Sequence, residues 1–526
     1  MLRLSLKIPI HIRTLNPTLI SFVQRRAMSN RSYKDAIDLL NTLQSNAATL
    51  DAIKASGGQT KALAIPEMIE YLERIGYKQD DLNALHVLHV TGTKGKGSTC
   101  AFVDSILRHT KPSWKIGLYT SPHLVAVRER IRINGVPISE ELFAKFFFDV
   151  WDRLEENNQQ KLSTRSPKPM YFRYITLIAF HAFLTLKVDA TILEVGVGGT
   201  YDCTNLVPRP IVTGVSSLGI DHVGVLGKTV GEIAWQKGGI FKEGVPAITV
   251  NQPREGLDVL RQRSVDLKAS EFIVVPPLPE LSETRLGLAG DHQITNAGLA
   301  VVLSQKFLEL KESVAPQKTL PGTFIEGLEA ARWPGRCQTV NDPTFPPIVW
   351  FLDGAHTVES LECCIEWFVS PTATLRTVST RGKPIRVLIF NCTHGRSGLS
   401  FLETVLAKIA TQLQLHGSEE APHTFFDKAV FCANVTYADG NFKGDLTTVS
   451  ISKDDLKTQQ ELAEAWTSLV PIFPKENTHV LPSIEHAVGI VREEASNGRP
   501  VEVLVTGSLH LVGGLIEVAG LSDVAL

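Results

Sequence analysis

Two lysines set among three glycines, in Gly92-Thr93-Lys94-Gly95-Lys96-Gly97-Ser98-Thr99, concentrate more chemistry than any other stretch of this 526-residue chain. Glycines let backbone N–H groups close around anionic oxygens, and a lysine adds a full positive charge. The apolar run before them (Val87, Leu88, Val90) reads as a strand that stops at Gly92, and Ala101, Phe102, Val103, Ile106 and Leu107 recur at helical spacing from Ser98 onward. Strand, glycine loop and helix N-terminus in that order favour a polyphosphate, with the Ser98 or Thr99 hydroxyl in reach of a magnesium ion. The match to the common P-loop expression is imperfect, because Gly97 follows Lys96 where Ser or Thr is usual and Val90 replaces the first glycine.

Further reactive residues fall where predicted strands end. Lys115 to Tyr119 reads as a strand that opens into Thr120-Ser121-Pro122-His123, and Ser-Pro rules out continuation as helix. In an open α/β sheet that rim is where ligands bind. The strand Ala190 to Glu194 ends in an acid and runs into Val195-Gly-Val-Gly-Gly199, with Asp202 and Asn205 beyond. A carboxylate on a strand beside a phosphate loop stands where Mg²⁺ wants an oxygen ligand. A third strand, Ile211 to Val215, leads to Asp221-His222, and Thr229 to Lys242 reads as a helix holding Lys237 before Gly238 and Gly239. Residue chemistry alone leaves His222 open to a capping role and Lys237 to a solvated one. The stretch Arg128-Glu-Arg-Ile-Arg132 reads equally as a strand with a solvated charged face.

The elements that must position these groups form an ordinary α/β pattern. Amphipathic spacing puts Ala36, Ile37, Leu39, Leu40 and Leu43 on one face of a helix over Tyr33 to Ala47, and a second helix is predicted from Pro66 to Arg74. A polar loop spans Glu155 to Met170, and a buried helix Tyr171 to Leu186. After the hinge-like Pro334-Gly335, apolar runs at Ile348 to Leu352, Val387 to Phe390, Ala429 to Cys432 and Val501 to Val505 alternate with helical patterns such as Val358 to Phe368 and Leu399 to Leu413. That is a second α/β unit, as the length of the chain also requires. Composition is globular, with 43% hydrophobic and 21% charged residues, and a net charge of −2 offers no basic field for nucleic acid. No apolar run is long enough to cross a bilayer. The seven cysteines, odd in number and without a Cys-x-x-Cys pair, read as reduced thiols. Residues 1 to 34 lack acids and carry spaced arginines and lysines. They resemble a mitochondrial transit peptide, and Met28, just after Arg25-Arg26-Ala27, supplies a second start. Mitochondrial matrix and cytoplasmic pools are both expected.

The loop variant Gly-Thr-x-Gly-Lys-Gly-Ser resembles that of the Mur ligase superfamily, whose members join an amino acid to a carboxylate using ATP. Other stretches narrow the resemblance to its folate branch, the folylpolyglutamate synthase family. They are Ser121-Pro-His-Leu124 with Arg128-Glu-Arg-Ile131, Glu194-Val-Gly-Val-Gly-Gly199, Gly219-Ile-Asp-His222, Lys237-Gly-Gly-Ile240, Asp291-His-Gln293 with Asn296-Ala297, Trp333-Pro-Gly-Arg336, Asp353-Gly-Ala-His356 and Thr506-Gly-Ser-Leu-His-Leu-Val-Gly-Gly514. The resemblance covers the chain from about Ser32 onward. It implies a P-loop-containing, Mur-ligase-like ATPase domain (29–335, after a leader at 1–28) followed by a smaller Rossmann-like α/β domain (336–526).

By the same resemblance, ATP is held by Gly92, Thr93, Lys94, Gly95, Lys96, Gly97, Ser98, Thr99, Asn296, Arg336 and Asp353. Ser121, Glu194 and His222 bind one Mg²⁺, and Lys237, once carbamylated, holds a second. Lys96, Lys237 and His356 are the implied catalytic residues, and a monovalent cation such as K⁺ is left open. The implied reaction moves the ATP γ-phosphoryl group onto the γ-carboxylate of a reduced folate, and the acyl phosphate is then attacked by L-glutamate. A monomer is expected. Two departures stand out: Ser397 replaces the acid that usually ends the segment beginning at Asn391, and Gln236 precedes Lys237 where Glu is common. The competing readings are dihydrofolate synthase, a P-loop ATPase that remodels a partner, and a noncatalytic folate-binding scaffold. The last would be expected to lack Lys96, Glu194 or His222.

Overall fold

The computed structural model describes residues 31–44, 63–159, 166–315, 319–375, 383–392, 397–439, 445 and 456–526. The leader at 1–28 and residues 393–396 of the segment ending at Ser397 lie outside the described residues. Two sheets account for the architecture. The first has the order β4-β3-β2-β5-β1-β6-β7-β8. Its strands are β1 (Val87–Thr91), β2 (Ile116–Tyr119), β3 (Ile131–Ile133), β4 (Val136–Pro137), β5 (Ala190–Glu194), β6 (Val212–Val215), β7 (Ala247–Thr249) and β8 (Phe272–Val274). The second has the order β13-β12-β11-β14-β10-β9. It consists of β9 (Gln338–Asn341), β10 (Ile348–Leu352), β11 (Ile385–Phe390), β12 (Lys428–Cys432), β13 (Thr478–Leu481) and β14 (Val501–Thr506).

Parallel pairing places functional loops at common rims. In the first sheet β2, β5, β1 and β6 run parallel, with Tyr119 opposite Leu193, Val90 opposite Glu194 and Thr91 opposite Val215. The glycine loop, Ser121, Glu194 and the loop to His222 therefore leave the sheet on one side. In the second sheet β10, β14, β11, β12 and β13 are parallel and only β9 is antiparallel. Asp353, Gly507 and Asn391 follow the ends of β10, β14 and β11. Predominantly apolar sequence suits these strands to the centre: every residue of β1, β5 and β11 is buried, His89, Glu194 and Arg386 included, as expected of parallel sheets covered on both faces.

The helices arrive where expected with some differences, the first being that the helix expected over Tyr33 to Ala47 ends at Asn41, with residues 45–47 outside the described residues. The helix Tyr33–Asn41 buries Ala36, Ile37 and Leu40, while Leu39 and Leu43 pack partly buried against the same core. The helix around Lys237 is shorter than predicted, Val230–Gly238, because Gly239 caps it with Thr200 so close that a Cβ there would lie 1.9 Å from the Thr200 hydroxyl. The charged stretch after Ser121 is not a solvated strand. Val127–Arg130 forms a 3₁₀ turn before β3, and Glu129, Arg130 and Arg132 are buried.

The lobes touch closely at the loop after Ser121. Leu124 and Val125, beyond Ser121, join the apolar core of the second sheet, and a Cβ on Gly513 of the helix Leu509–Ala519 would lie 2.0 Å from the Leu124 carbonyl oxygen. Gly513→Ala must push this helix off the loop, at a cost of about 1–3 kcal/mol by the usual scale of overpacking. Calorimetry is expected to show a lowered melting temperature, and kinetics a raised KM for substrates held between the lobes. An unchanged melt would mean that the contact carries no strain.

Candidate active site

The Gly92 carbonyl is the centre of the site. Lys96 Nζ donates to it at 3.0 Å and Lys237 Nζ at 2.6 Å, so two lysines from different elements converge on one backbone oxygen. Gly92 must be glycine, since its φ is +152° and a Cβ would lie 1.9 Å from Ser216 Oγ. The loop is fastened without its charged side chains: the Thr93 and Lys94 amides donate to the Ser217 carbonyl at 2.9 and 3.1 Å, and Ser216 Oγ donates to the Lys94 carbonyl at 2.7 Å. Gly95, at φ +83°, admits Asn296 against the loop; a Cβ would sit 2.0 Å from Asn296 Oδ1. Gly97 similarly admits the Trp333 indole.

Lys237 is only 3% exposed, contrary to the solvated reading. Its helix starts at a capping box, Thr229 Oγ1 accepting from the Glu232 amide at 3.1 Å and the Glu232 carboxylate accepting from the Thr229 amide at 3.1 Å. That start fixes which turn points inward at Gly92. Burial, then the Lys96 charge, holds the Lys237 ammonium well below the ordinary lysine range.

On the next strand Glu194 is 3% exposed and its Oε2 accepts from the Ser121 amide at 2.9 Å. Burial pushes its carboxyl up, while the Lys96, Arg336 and Arg130 charges pull it down. His222, with φ 51°, lies beyond β6 with an exposed surface; the partial loss of water around its ring, with the Lys96, Lys237 and Lys94 charges, lowers its pKa against the opposing field of Asp221. Among the described residues no hydrogen bond joins His222 to Ser121 or Glu194, and the charges acting on it are Asp221, Lys96, Lys237 and Lys94. Ser121 and Glu194 are thus brought together directly, and His222 faces the lysine side of the same loop. Lys94 pairs with Asp221 at 3.6 Å.

The second lobe completes the ring. Asp353 Oδ2 accepts from the Cys337 amide at 2.7 Å and Oδ1 from the Ala355 amide at 2.8 Å, which ties the linker to the end of β10. Arg336 Nη1 donates to the Gly335 carbonyl at 3.1 Å, and its charge reaches Glu194. His356 Nδ1 lies 2.8 Å from the Gly354 carbonyl, and His356 acts electrostatically on Asp221. Asn296 is buried, Nδ2 donating to Gln293 Oε1 at 2.9 Å; Gln293 in turn reaches Ser98 Oγ at 3.4 Å. The Thr99 hydroxyl is wholly buried and has no hydrogen-bond partner among the described residues.

Compared with models of known protein families, the chain matches none. A curated protein of Saccharomyces cerevisiae strain YJM789 named folylpolyglutamate synthase is 42% identical over 512 residues, covering 94% of this chain and 88% of the relative. The chain belongs to the folylpolyglutamate synthase family. Solved structures share the fold. A Mycobacterium tuberculosis folylpolyglutamate synthase complexed with ADP and AMPPCP superposes with a TM-score of 0.64 at 21% identity, covering 87% of this chain and 95% of that one. An FPGS–AMPPCP–folate complex gives 0.59 at 21% identity, with 92% and 99% covered.

Several residues that the sequence of this family member marks without giving them a role support the site. Glu129 accepts from the Leu124, Val125 and Ala126 amides at 3.0, 3.0 and 2.6 Å and so shapes the loop after Ser121. Each such charge-assisted bond contributes roughly 1.5–3 kcal/mol. Arg130 Nε donates to His123 Nδ1 at 2.9 Å, which leaves Nε2 to donate to the Asp445 carbonyl of the second lobe at 2.8 Å. Asp202 accepts from the Val197 and Thr204 amides at 3.0 and 2.9 Å and holds the turn after Glu194. An acid three residues after a glycine-rich turn is the signal that marks Asp202, whereas Glu129 follows a Ser-Pro turn that holds no glycine. The contact to Asp445 has no local signal at all.

Proposed function

We propose that the chain is an ATP-dependent acid–amino-acid ligase that adds L-glutamate to the γ-carboxylate of tetrahydrofolate and its glutamylated forms through an acyl phosphate. What carries this reading is the convergence of Lys96 and Lys237 on Gly92, beside buried Glu194, in a chain 42% identical to the yeast folylpolyglutamate synthase along 94% of its length. A carboxylate does not react with an amine in neutral water, so activation by phosphoryl transfer is the chemical need the site answers. Lys96 and the loop amides hold the ATP phosphates and share the charge that develops during transfer. Arg336 and Asp353 bring the linker and second lobe against the nucleotide, and closure at Leu124 and Gly513 keeps water from the acyl phosphate until glutamate attacks.

The residues fit a magnesium ion. Among the described residues no three His, Cys, Asp or Glu side chains form a closed cage. The Ser121 and Glu194 pair, with His222 across the loop, instead offers the few ligands that suit Mg²⁺, which keeps waters and phosphate oxygens in its shell. When bound there it would neutralise the transferring phosphoryl oxygens. Glu194→Gln is therefore expected to lower turnover at least ~10²-fold and to raise the Mg²⁺ concentration for half-maximal rate. A Mg²⁺ titration that superposes on the wild type removes Glu194 from the metal site.

The deciding assay supplies purified protein, Mg-ATP and labelled glutamate with tetrahydrofolate or dihydropteroate, and resolves products by chain length. Label entering folate, one residue after another, is expected; label entering dihydropteroate alone would make the chain a dihydrofolate synthase. K⁺ dependence is read from the same assay and a monomer from light scattering. The basic leader and Met28 support mitochondrial and cytosolic pools, and removing Met28 is expected to deplete the cytosolic one.

A further inference from the structure

A cavity of about 680 Å³ lies beside the phosphate loop, between the helix Lys96–Thr110, β2 and β3, the linker and residues Asp523 to Leu526. Its size is that of a metabolite pocket. Four arginines line it, Arg108, Arg132, Arg332 and Arg336, against two acidic side chains, Asp104 and Asp523. Asp104 is tied to Arg108 at 2.8 Å. The other guanidinium groups rest mainly on carbonyls. Arg132 donates to Glu129 and Gly135 at 3.2 Å each, Arg332 to Glu329 and Ala331 at 2.9 and 2.7 Å, and Arg336 to Gly335 at 3.1 Å. Carbonyl oxygens satisfy N–H groups without cancelling charge, so the cavity keeps a positive field.

Two residues join it to the active site. Trp333 forms its wall and also sits against Gly97, and Arg336 lines it while acting on Glu194. The cations stand on a helix, a strand and the linker instead of converging on one point. That spacing suits an extended chain with a carboxylate on every unit better than a single compact anion, because each guanidinium can grip one carboxylate by paired hydrogen bonds.

We propose that this cavity holds the γ-linked glutamate tail of a long-chain substrate, with Arg332, Arg132 and Arg108 binding successive α-carboxylates. The proposal rests on the function proposed above. Tail capture there favours elongation of chains already begun and sets product length.

Arg332 is exposed at the cavity mouth, so Arg332→Gln leaves the core untouched. In this variant kcat and KM for tetrahydrofolate monoglutamate are expected within twofold of wild type, KM for the pentaglutamate to rise roughly tenfold, and products to shorten. Arg132→Gln is a second variant, checked by its melt. Calorimetry with a γ-linked pentaglutamate peptide lacking the pterin is expected to show binding that Arg332→Gln weakens, with inorganic tripolyphosphate much weaker. Unchanged product lengths and an unchanged KM ratio overturn the proposal, as does tripolyphosphate competing as tightly as the peptide. If wild type glutamylates no folate at all, the functional reading fails instead, and peptide calorimetry still reports on the cavity.

Discussion

Lys96→Ala is expected to reduce glutamate addition by roughly 10³-fold while the protein keeps its melting temperature. The magnitude is that of removing one full charge from a preorganised phosphoryl-transfer site. The preserved fold follows from how the loop is built. Its strand is locked between β5 and β6, its amides bond to Ser217, and its glycines fit Ser216, Asn296 and Trp333, none of which needs the Lys96 ammonium. Among the described residues, the bond that the Lys96 ammonium makes is to the Gly92 carbonyl, which Lys237 also serves. Labelled-glutamate incorporation and a thermal melt on the same sample check both halves. Turnover within tenfold of wild type in a folded variant would take the phosphate loop out of the mechanism.

That pairing also shows what could be read in advance. Strand ends were legible because apolar runs stop abruptly at Gly92, Tyr119, Glu194 and Val215, and parallel pairing then forces their loops to one rim. Turn chemistry near Glu194 was legible for the same local reason. Burial of charge was not: Arg128 to Arg132 alternates as a solvated strand would, and only the Leu124–Ala126 amides and His123, brought there by the fold, explain why Glu129 and Arg130 are inside. Lys237 likewise carries no sequence mark of burial, since its partner is a carbonyl 145 positions away. β9 and β13 were missed because Gln338–Asn341 and Thr478–Leu481 are edge strands with partly exposed faces and no unbroken apolar run.

Lys237→Ala is expected to lose activity by ~10²-fold or more, and short carboxylic acids such as formate or acetate to restore part of it. Burial and the neighbouring Lys96 charge favour the neutral amine at position 237, and a neutral amine is the form that adds CO₂ to give a carbamate and release a proton. The carbamate would exchange a second ammonium, poorly placed beside Lys96, for an anionic oxygen that suits a magnesium ion. An added carboxylate can occupy the space left by alanine and present the same oxygen, which no ordinary salt-bridge role for the lysine would allow. The Gln236 that precedes it adds no charge, so the change in field must come from Lys237 itself. Intact-mass measurement is expected to show a CO₂ adduct that is lost on degassing in acid and absent from Lys237→Ala. Failure of rescue, together with an unmodified lysine in the active protein, would leave Lys237 as a structural donor to Gly92.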